Sequence, residues 1–252
     1  MNHTPQPLLV DGAQPLSAET VQALNARCDQ AEDSGTGAPL VLRVTGAPAT
    51  AVTAPLPLVN KWERALRRLE RLDVPTVALA DGDCGGTALE ALLATDLRIA
   101  TPATRLLPAV GTDGANATDG ANGANGANGT DGTDGTDGTD GTDGANGVWP
   151  GMALYRLVNQ AGAAATRRNV LFGTAIPAER ALALHLLDQL ADDPSAALAS
   201  AADRLTATVG AGLAIRRQLM HDATTVSFEE ALGRHLAACD RLLRQAAAEV
   251  AR

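Results

Sequence analysis

The chain has 252 residues, 45% of them hydrophobic and 2% aromatic, which predicts one sizeable core built mainly from Ala, Leu and Val. Its formal net charge is −9, with seven of the acids in one repetitive segment and the rest of the chain close to neutral. This balance disfavours a nucleic-acid-binding surface, which needs clustered positive charge. We also expect no membrane partner, since no apolar run reaches the roughly 18 residues of a spanning helix.

The cysteines and the start of the chain give expectations about the compartment. Cys28, Cys84 and Cys239 are odd in number and widely separated, which predicts neither a disulfide framework nor a zinc site. The first residues lack the basic end and long apolar run of a secretory signal. We therefore expect a cytoplasmic protein that holds no metal.

A repeat with a period of three residues runs through positions 112–147, where Thr-Asp-Gly and Ala-Asn-Gly units follow one another. Collagen shares the glycine period but needs proline, and calcium-binding β-helix repeats need a large apolar residue in each unit; both are absent here. With nothing apolar to bury, the segment is predicted to be a flexible acidic insertion, with weak cation binding as the minor alternative. The folded core is then predicted at 1–111 and 148–195, with a C-terminal helical region at 196–252.

On either side of the insertion, patterns typical of strands and helices alternate. Before it, the chain order is a strand at 7–10, a helix at 17–33 with Ser17 as N-cap, a strand at 39–44, an amphipathic helix at 59–72, a strand at 74–80, a helix at 87–93 and a strand at 97–100. After it, helices are predicted at 150–160, 163–172, 177–187, 194–208 and 228–250. This order predicts an α/β layered domain followed by helices.

Several motifs along this order resemble one family. They are the strand VPTVALADGD, the glycine pair after it, ALEALLATDLRIA, and, beyond the insertion, VWPGMALYRLVNQAG and LFGTAIPAERALALHLLDQL. Their order and spacing are similar to the crotonase (enoyl-CoA hydratase/isomerase) superfamily, over about residues 5–195. The resemblance implies an α/β fold, a crotonase-type spiral of ββα repeats, with a C-terminal helical trimerisation region. Within the superfamily the chain most resembles the DpgB subfamily, accessory members of the pathway to 3,5-dihydroxyphenylacetyl-CoA.

The resemblance also implies a site for an acyl-CoA. Members of the family stabilise the enolate oxygen of the thioester with two backbone N–H groups, an oxyanion hole. Counting from the family pattern places one donor at Thr87, with Gly86 just before it, and the other in the loop after the second strand, nearest Val52 or Thr53. The usual pattern of that loop is absent.

The acid/base groups implied by the family are incomplete. Hydratases of this fold use two glutamates, and Glu90 matches the first by its spacing from Asp96. The second is missing, because Pro108 is followed by Ala109. Asp83 is a candidate substitute acid. One carboxylate can still perform a single proton transfer, such as an elimination from an activated β-hydroxy thioester.

Each of these residues has an ordinary structural interpretation as well. Glu90 could be a solvent-facing helix residue, Asp83 a turn residue, Cys84 a small buried residue and Trp62 a packing anchor. A polar stripe on the helix at 59–72 is interpreted as a solvated face, with contact to CoA phosphates or to a neighbouring subunit as the alternative; it comprises Arg64, Arg67, Arg68 and Arg71.

These motifs and their departures from the family pattern leave three possible functions. In the first, the protein is a dehydratase or isomerase that enhances 3,5-dihydroxyphenylacetyl-CoA formation from malonyl-CoA by a type III polyketide synthase. In the second, it is a non-catalytic accessory subunit that holds the acyl-CoA intermediate or docks on that synthase. In the third, the acidic repeats make it a cation-binding or scaffolding protein. The expected partners are the acyl-CoA intermediate, the synthase and related pathway enzymes, and other copies of the chain in a homo-trimer or hexamer; the CoA thioester is expected as substrate, with no other cofactor.

Overall fold

A parallel β-sheet forms the centre of the protein. The computed structural model describes residues 7–34, 37–49, 54–108, 151–207 and 212–250. The strands are β1 (Leu8–Asp11), β2 (Leu40–Gly46), β3 (Thr76–Gly85), β4 (Leu97–Ala100), β5 (Arg105–Leu107), β6 (Ile176–Pro177) and β7 (Gln189–Leu190). The order across the sheet is β1-β2-β3-β4-β7, with every neighbouring pair parallel. Near its end, β3 also pairs with β5, which in turn pairs antiparallel with β6.

Helices connect the parallel strands, as parallel pairing requires. They are α1 (Ala18–Ser34), α2 (Leu56–Leu69), α3 (Gly86–Leu93), α4 (Ala153–Ala161), α5 (Ala163–Phe172), α6 (Ala178–Ala183), α7 (Pro194–Ala207), α8 (Leu213–Asp222) and α9 (Phe228–Val250). In the described ranges, none of these helices is both long and apolar enough to cross a membrane.

The hydrophobic core lies on both faces of the sheet. On one face, residues of α1, α2, α3 and α4 pack in one cluster, with Leu24, Trp62, Leu89 and Leu157 at 0% exposure. On the other face, a smaller cluster joins β2, β3 and β4 to Leu198 of α7. Because both faces are covered, β3 opens with an unbroken buried run rather than with alternating polar residues.

The predicted alternation of strands and helices is confirmed, with several boundary differences. Ser17 caps α1 through a hydrogen bond from Thr20 N–H to Ser17 Oγ, 3.2 Å long. Helix α2 begins and ends three residues before its predicted bounds, because the prolines at 55 and 57 suit a helix start. The helix predicted at 177–187 ends at Ala183, just before His185, which has a φ of +56°. Residue patterns predicted neither strands β5, β6 and β7 nor helix α8, and the predicted insertion at 112–147 lies outside the described residues.

Candidate active site

Helix α3 runs through the interior and carries the candidate site. All eight of its residues are buried, although two of them, Thr87 and Glu90, are polar. The preceding Gly85 is extended, and Gly86 has a φ of +52°, a left-handed conformation that glycine adopts without steric cost. The chain can therefore turn sharply from β3 into α3, which directs the first N–H groups of the helix toward the ends of the strands.

The carboxyl ends of β1, β2 and β3 meet at the start of α3 through contacts that exclude side chains. A Cβ placed on Gly12 would lie 2.2 Å from the carbonyl oxygen of Gly85 and 2.5 Å from that of Gly46. A Cβ on Gly85 would lie 2.8 Å from the Cβ of Ala47. The loop that leaves β2 therefore begins against the N-terminal end of α3.

This arrangement bears on the predicted oxyanion hole. Thr87 is the second residue of α3, so its N–H belongs to the first turn, where N–H groups have no partner within the helix. The positive end of the helix dipole adds to the attraction for an oxyanion there. The Thr87 residue is 2% exposed. The other predicted donor, at Val52 or Thr53, lies outside the described residues.

Glu90 is fully buried, and two other elements flank its carboxylate. The indole N–H of Trp62, on α2, donates a hydrogen bond of 2.8 Å to Glu90 Oε2. Gly151, just before α4, packs so closely that a Cβ there would lie 1.7 Å from Glu90 Oε1. Its 0% exposure shows that Glu90 is not a solvent-facing helix residue. The hydrogen bond from Trp62 offsets part of the cost of burying this polar group.

A buried ion-pair network holds α4 against α2 beside Glu90. Arg156 donates from Nε to Glu70 Oε1 at 2.9 Å and pairs through Nη2 with Glu63 Oε2, also at 2.9 Å. Burial alone would lower the pKa of Arg156, but the negative charges of Glu70 and Glu63 raise it overall. Glu63 also accepts a 2.9 Å hydrogen bond from the Met152 N–H. The segment at Gly151 is thus fixed to the helix that carries Trp62.

Asp83 lies apart from this network. Both of its carboxylate oxygens accept hydrogen bonds of 2.7 Å from Arg105, its pairing partner on β5, and this carboxylate raises the pKa of Arg105. Successive strand residues point to opposite faces, and Cys84 points into the core that contains Trp62 and Leu89. Asp83 therefore faces away from the Glu90 side of the sheet, in a partly exposed ion pair.

The remaining predicted interpretations can be placed in the same way. Burial raises the pKa of the Cys84 thiol to about 12, in agreement with its interpretation as a small buried residue. One arginine of the predicted stripe, Arg68, bridges α2 to α1 by pairing with Asp29 and Glu32. In the described ranges, no group of three or more His, Cys, Asp or Glu side chains is arranged to hold a metal ion. The second carboxylate position, Ala109, lies outside them.

Two clefts between the described elements are lined by residues other than Gly86, Thr87 and Glu90. The first, of about 810 Å³, opens at the carboxyl end of α3 between α2, α4, α8 and α9. Charged side chains that line it pair with one another, as Arg156 does with Glu63 and Arg217 with Asp96. The second, of about 320 Å³, lies beside α7. The first cleft reaches Leu93 at the end of α3 and is separated from Thr87 by most of the length of that helix.

Comparison with known proteins decides the family. No protein-family model matches the chain. A protein of Amycolatopsis orientalis named an enoyl-CoA-hydratase is 46% identical over 243 residues, which covers 95% of this chain and 96% of that protein. The chain belongs to the enoyl-CoA hydratase (crotonase) superfamily.

Solved structures of the crotonase superfamily agree with the fold. An enoyl-CoA hydratase/isomerase family protein of Silicibacter pomeroyi superposes with a TM-score of 0.67 at 18% identity, over 94% of this chain and 93% of that one. An enoyl-CoA hydratase of Shewanella pealeana superposes with a TM-score of 0.65 at 16% identity, over 93% and 79%. The predicted α/β fold class is confirmed, and the superfamily membership suggests hydratase/isomerase-like activity as the class for this chain.

The sequence places Glu90 and Thr87 on one helix but does not show the residues around Glu90. Trp62, interpreted as a packing anchor, is also the donor to its carboxylate. Gly151 stands out in the sequence only as part of a Pro-Gly pair. Glu63 and Arg156 were missed because charged residues are ordinarily assigned to the solvent-facing side of a helix.

Proposed function

We propose that this crotonase-superfamily protein acts on a CoA thioester with Glu90 as its acid/base, and that it enhances 3,5-dihydroxyphenylacetyl-CoA formation by a type III polyketide synthase, as the DpgB-like motifs suggest. The observation that carries the proposal is the position of Glu90, three residues beyond Thr87 on the buried helix α3. One helical turn separates the Thr87 N–H, the proposed donor to the enolate oxygen, from the Glu90 carboxylate, the proposed acid/base at the adjacent carbons. The 46% identical relative named an enoyl-CoA-hydratase supports this class of reaction.

The proposed reaction is the dehydration of a β-hydroxy thioester, which a single carboxylate can complete. Glu90 removes the proton on the α-carbon, and the electron pair moves into an enolate whose oxygen accepts a hydrogen bond from the Thr87 N–H. The protonated Glu90 then gives that proton to the departing β-hydroxyl group. The C–O bond breaks, a carbon–carbon double bond forms, water leaves and Glu90 returns to its carboxylate form. Repeated dehydration of a polyketide chain leads toward an aromatic ring.

The complete burial of Glu90 supports a second candidate, a non-catalytic accessory subunit. Trp62 and Gly151 cover the carboxylate, and the residue has 0% exposure. A fold kept for holding the acyl-CoA intermediate or docking on the synthase would need no proton transfer there. The same assay distinguishes the two candidates.

The test is product formation by a type III polyketide synthase supplied with malonyl-CoA and this protein. Glu90→Gln keeps the shape of the side chain and can still accept the Trp62 hydrogen bond, but it cannot act as an acid or base. If Glu90 transfers protons, the enhancement falls by roughly 100-fold or more while binding of phenylacetyl-CoA is retained. The exposed Glu179→Gln is the matched control. If Glu90→Gln enhances product formation as well as wild type does, Glu90 transfers no proton and the accessory role is supported. Asp83→Asn in the same assay tests the substitute acid.

We also infer a homo-oligomer, a trimer or hexamer, formed through the C-terminal helices. Helix α9 presents Phe228, Leu232, Leu236 and Leu243 on one side, with exposed fractions of 75%, 44%, 59% and 71%. Their spacing of four and seven residues places them within one face of a helix, which another copy of the chain would cover. Light scattering should give a mass that falls to one chain in Leu236→Glu, while the exposed Leu171→Glu leaves it unchanged.

A further inference from the structure

Trp62 and Glu90 make a contact that joins two helices in the interior. The indole N–H can only donate, so Glu90 Oε2 is the acceptor in the 2.8 Å bond from Trp62 Nε1. Both side chains are 0% exposed. A hydrogen bond buried away from water is electrostatically stronger than the same bond at the surface.

The opposite side of the carboxylate is equally constrained. The Gly151 backbone leaves no room for a Cβ, which would lie 1.7 Å from Oε1 and 2.5 Å from Cδ. One donor at Oε2 and a backbone wall at Oε1 leave the carboxylate little freedom to rotate about its terminal bond, a torsion that is otherwise soft.

Both constraints originate from neighbouring residues of α2. Trp62 contacts Glu90 directly, and Glu63 holds the Gly151 segment by accepting hydrogen bonds from Met152 N–H at 2.9 Å and from Arg156 Nη1 at 3.3 Å. Helix α2 is itself packed into the core through its buried face. The carboxylate is thus oriented by a rigid element outside the helix that carries it, an arrangement that precise proton transfer favours.

We propose that Trp62 is a positioning residue for Glu90, which holds the carboxylate in the orientation required for proton transfer, with Gly151 as the facing wall. This inference rests on the proposed acid/base role of Glu90. Trp62 touches neither the thioester nor the reacting atoms; it acts only through Glu90.

The test compares Trp62→Phe with wild type in the synthase assay. Phenylalanine keeps most of the buried aromatic volume and removes the N–H. The dehydration-dependent rate should fall by about 10-fold or more at saturating substrate, with little change in KM, because misorientation of a catalytic group affects the transition state and not substrate binding. Leu69→Val, a core substitution two turns along the same helix, controls for lost packing and should leave the rate within about two-fold.

A double-mutant cycle separates positioning from a merely structural role. If Trp62 acts through Glu90, Trp62→Phe should change nothing further in a Glu90→Gln background. An equal loss in both backgrounds, or a Trp62→Phe rate equal to wild type, would overturn the proposal. If Glu90→Gln alone retains full enhancement, the proposed function fails, and the inference with it. An independent readout is the NMR signal of the Trp62 indole N–H, which should move in Glu90→Gln; an unmoved signal would count against the contact itself, whatever the activity.

Discussion

The most direct test of the site is to add one methyl group at position 151. In Gly151→Ala, the new Cβ would start 1.7 Å from Glu90 Oε1, and Cβ atoms in proteins essentially never approach closer than 3.0 Å. The two atoms must therefore separate by at least 1.3 Å, the difference between these distances. Either the carboxylate moves away from Trp62 or the start of α4 moves away from Glu63.

The cost can be estimated from the two outcomes. Overpacking a well-packed interior costs about 1–3 kcal/mol. Weakening the buried hydrogen bond from Trp62 to Glu90 adds about 1 kcal/mol. We expect Gly151→Ala to lower the free energy of unfolding by about 2–4 kcal/mol. Urea unfolding followed by tryptophan fluorescence measures this change, provided that the slope of the unfolding free energy against urea concentration is the same in both proteins.

Gly233→Ala is the matched control, since a Cβ at that position of α9 would meet no atom within 4 Å. The same substitution there should be neutral or stabilising by up to about 1 kcal/mol, because alanine is the better helix former. If Gly151→Ala unfolds at the same urea concentration as wild type, position 151 does not pack on Glu90. Gly151 would then not be the facing wall of the Glu90 carboxylate.

Three further predictions concern the rest of the chain. Arg217→Met removes a buried cation that binds Asp96 and the carbonyl of Leu72. It should lower the free energy of unfolding by about 3 kcal/mol and increase hydrogen exchange in α8. The control Arg244→Met, at an exposed arginine, should lower it by less than about 0.5 kcal/mol. Stability should fall as pH rises above about 9, because burial raises the pKa of the Cys84 thiol from 9.0 to about 12 and only the unfolded chain then loses the proton. Urea unfolding at pH 8 and pH 10 measures this loss of stability, which should be smaller in Cys84→Ala. Deletion of residues 112–147 should leave enhancement in the synthase assay nearly intact, because the repeats offer no apolar surface to pack on the site, and a large loss would contradict this.

The long, strongly patterned elements were predictable from the sequence. The apolar stripe of α2 and the apolar first half of strand β3 follow directly from residue spacing, and the glycine pair marks the turn into α3. Strands β6 and β7 have two residues each, too few to show any period. Helix α8 was missed because its mixed run of arginines and apolar residues has no clear apolar face.

The candidate site was predictable only in part. Local spacing and the family resemblance identify Glu90 and Thr87, because both lie on the same short helix. The Trp62 contact joins residues 28 positions apart on different helices, and periodicity shows that Trp62 faces the core without showing what it meets there. Arg156 was missed for a different reason: patterns assign charged residues to solvent, whereas a buried ion pair depends on tertiary contacts.

The attachment of Met152 and Arg156 to Glu63 has a consequence for how the gene can change. These contacts involve only residues that precede or follow the repeats, and they fix the chain beside Glu90 at Met152 and Arg156. Each Thr-Asp-Gly or Ala-Asn-Gly unit is three residues long, so replication slippage by whole units would change their number without shifting the reading frame. We therefore expect related genes to differ in the number of these units, while the counterparts of Glu90, Trp62 and Arg156 keep the same positions in the fold.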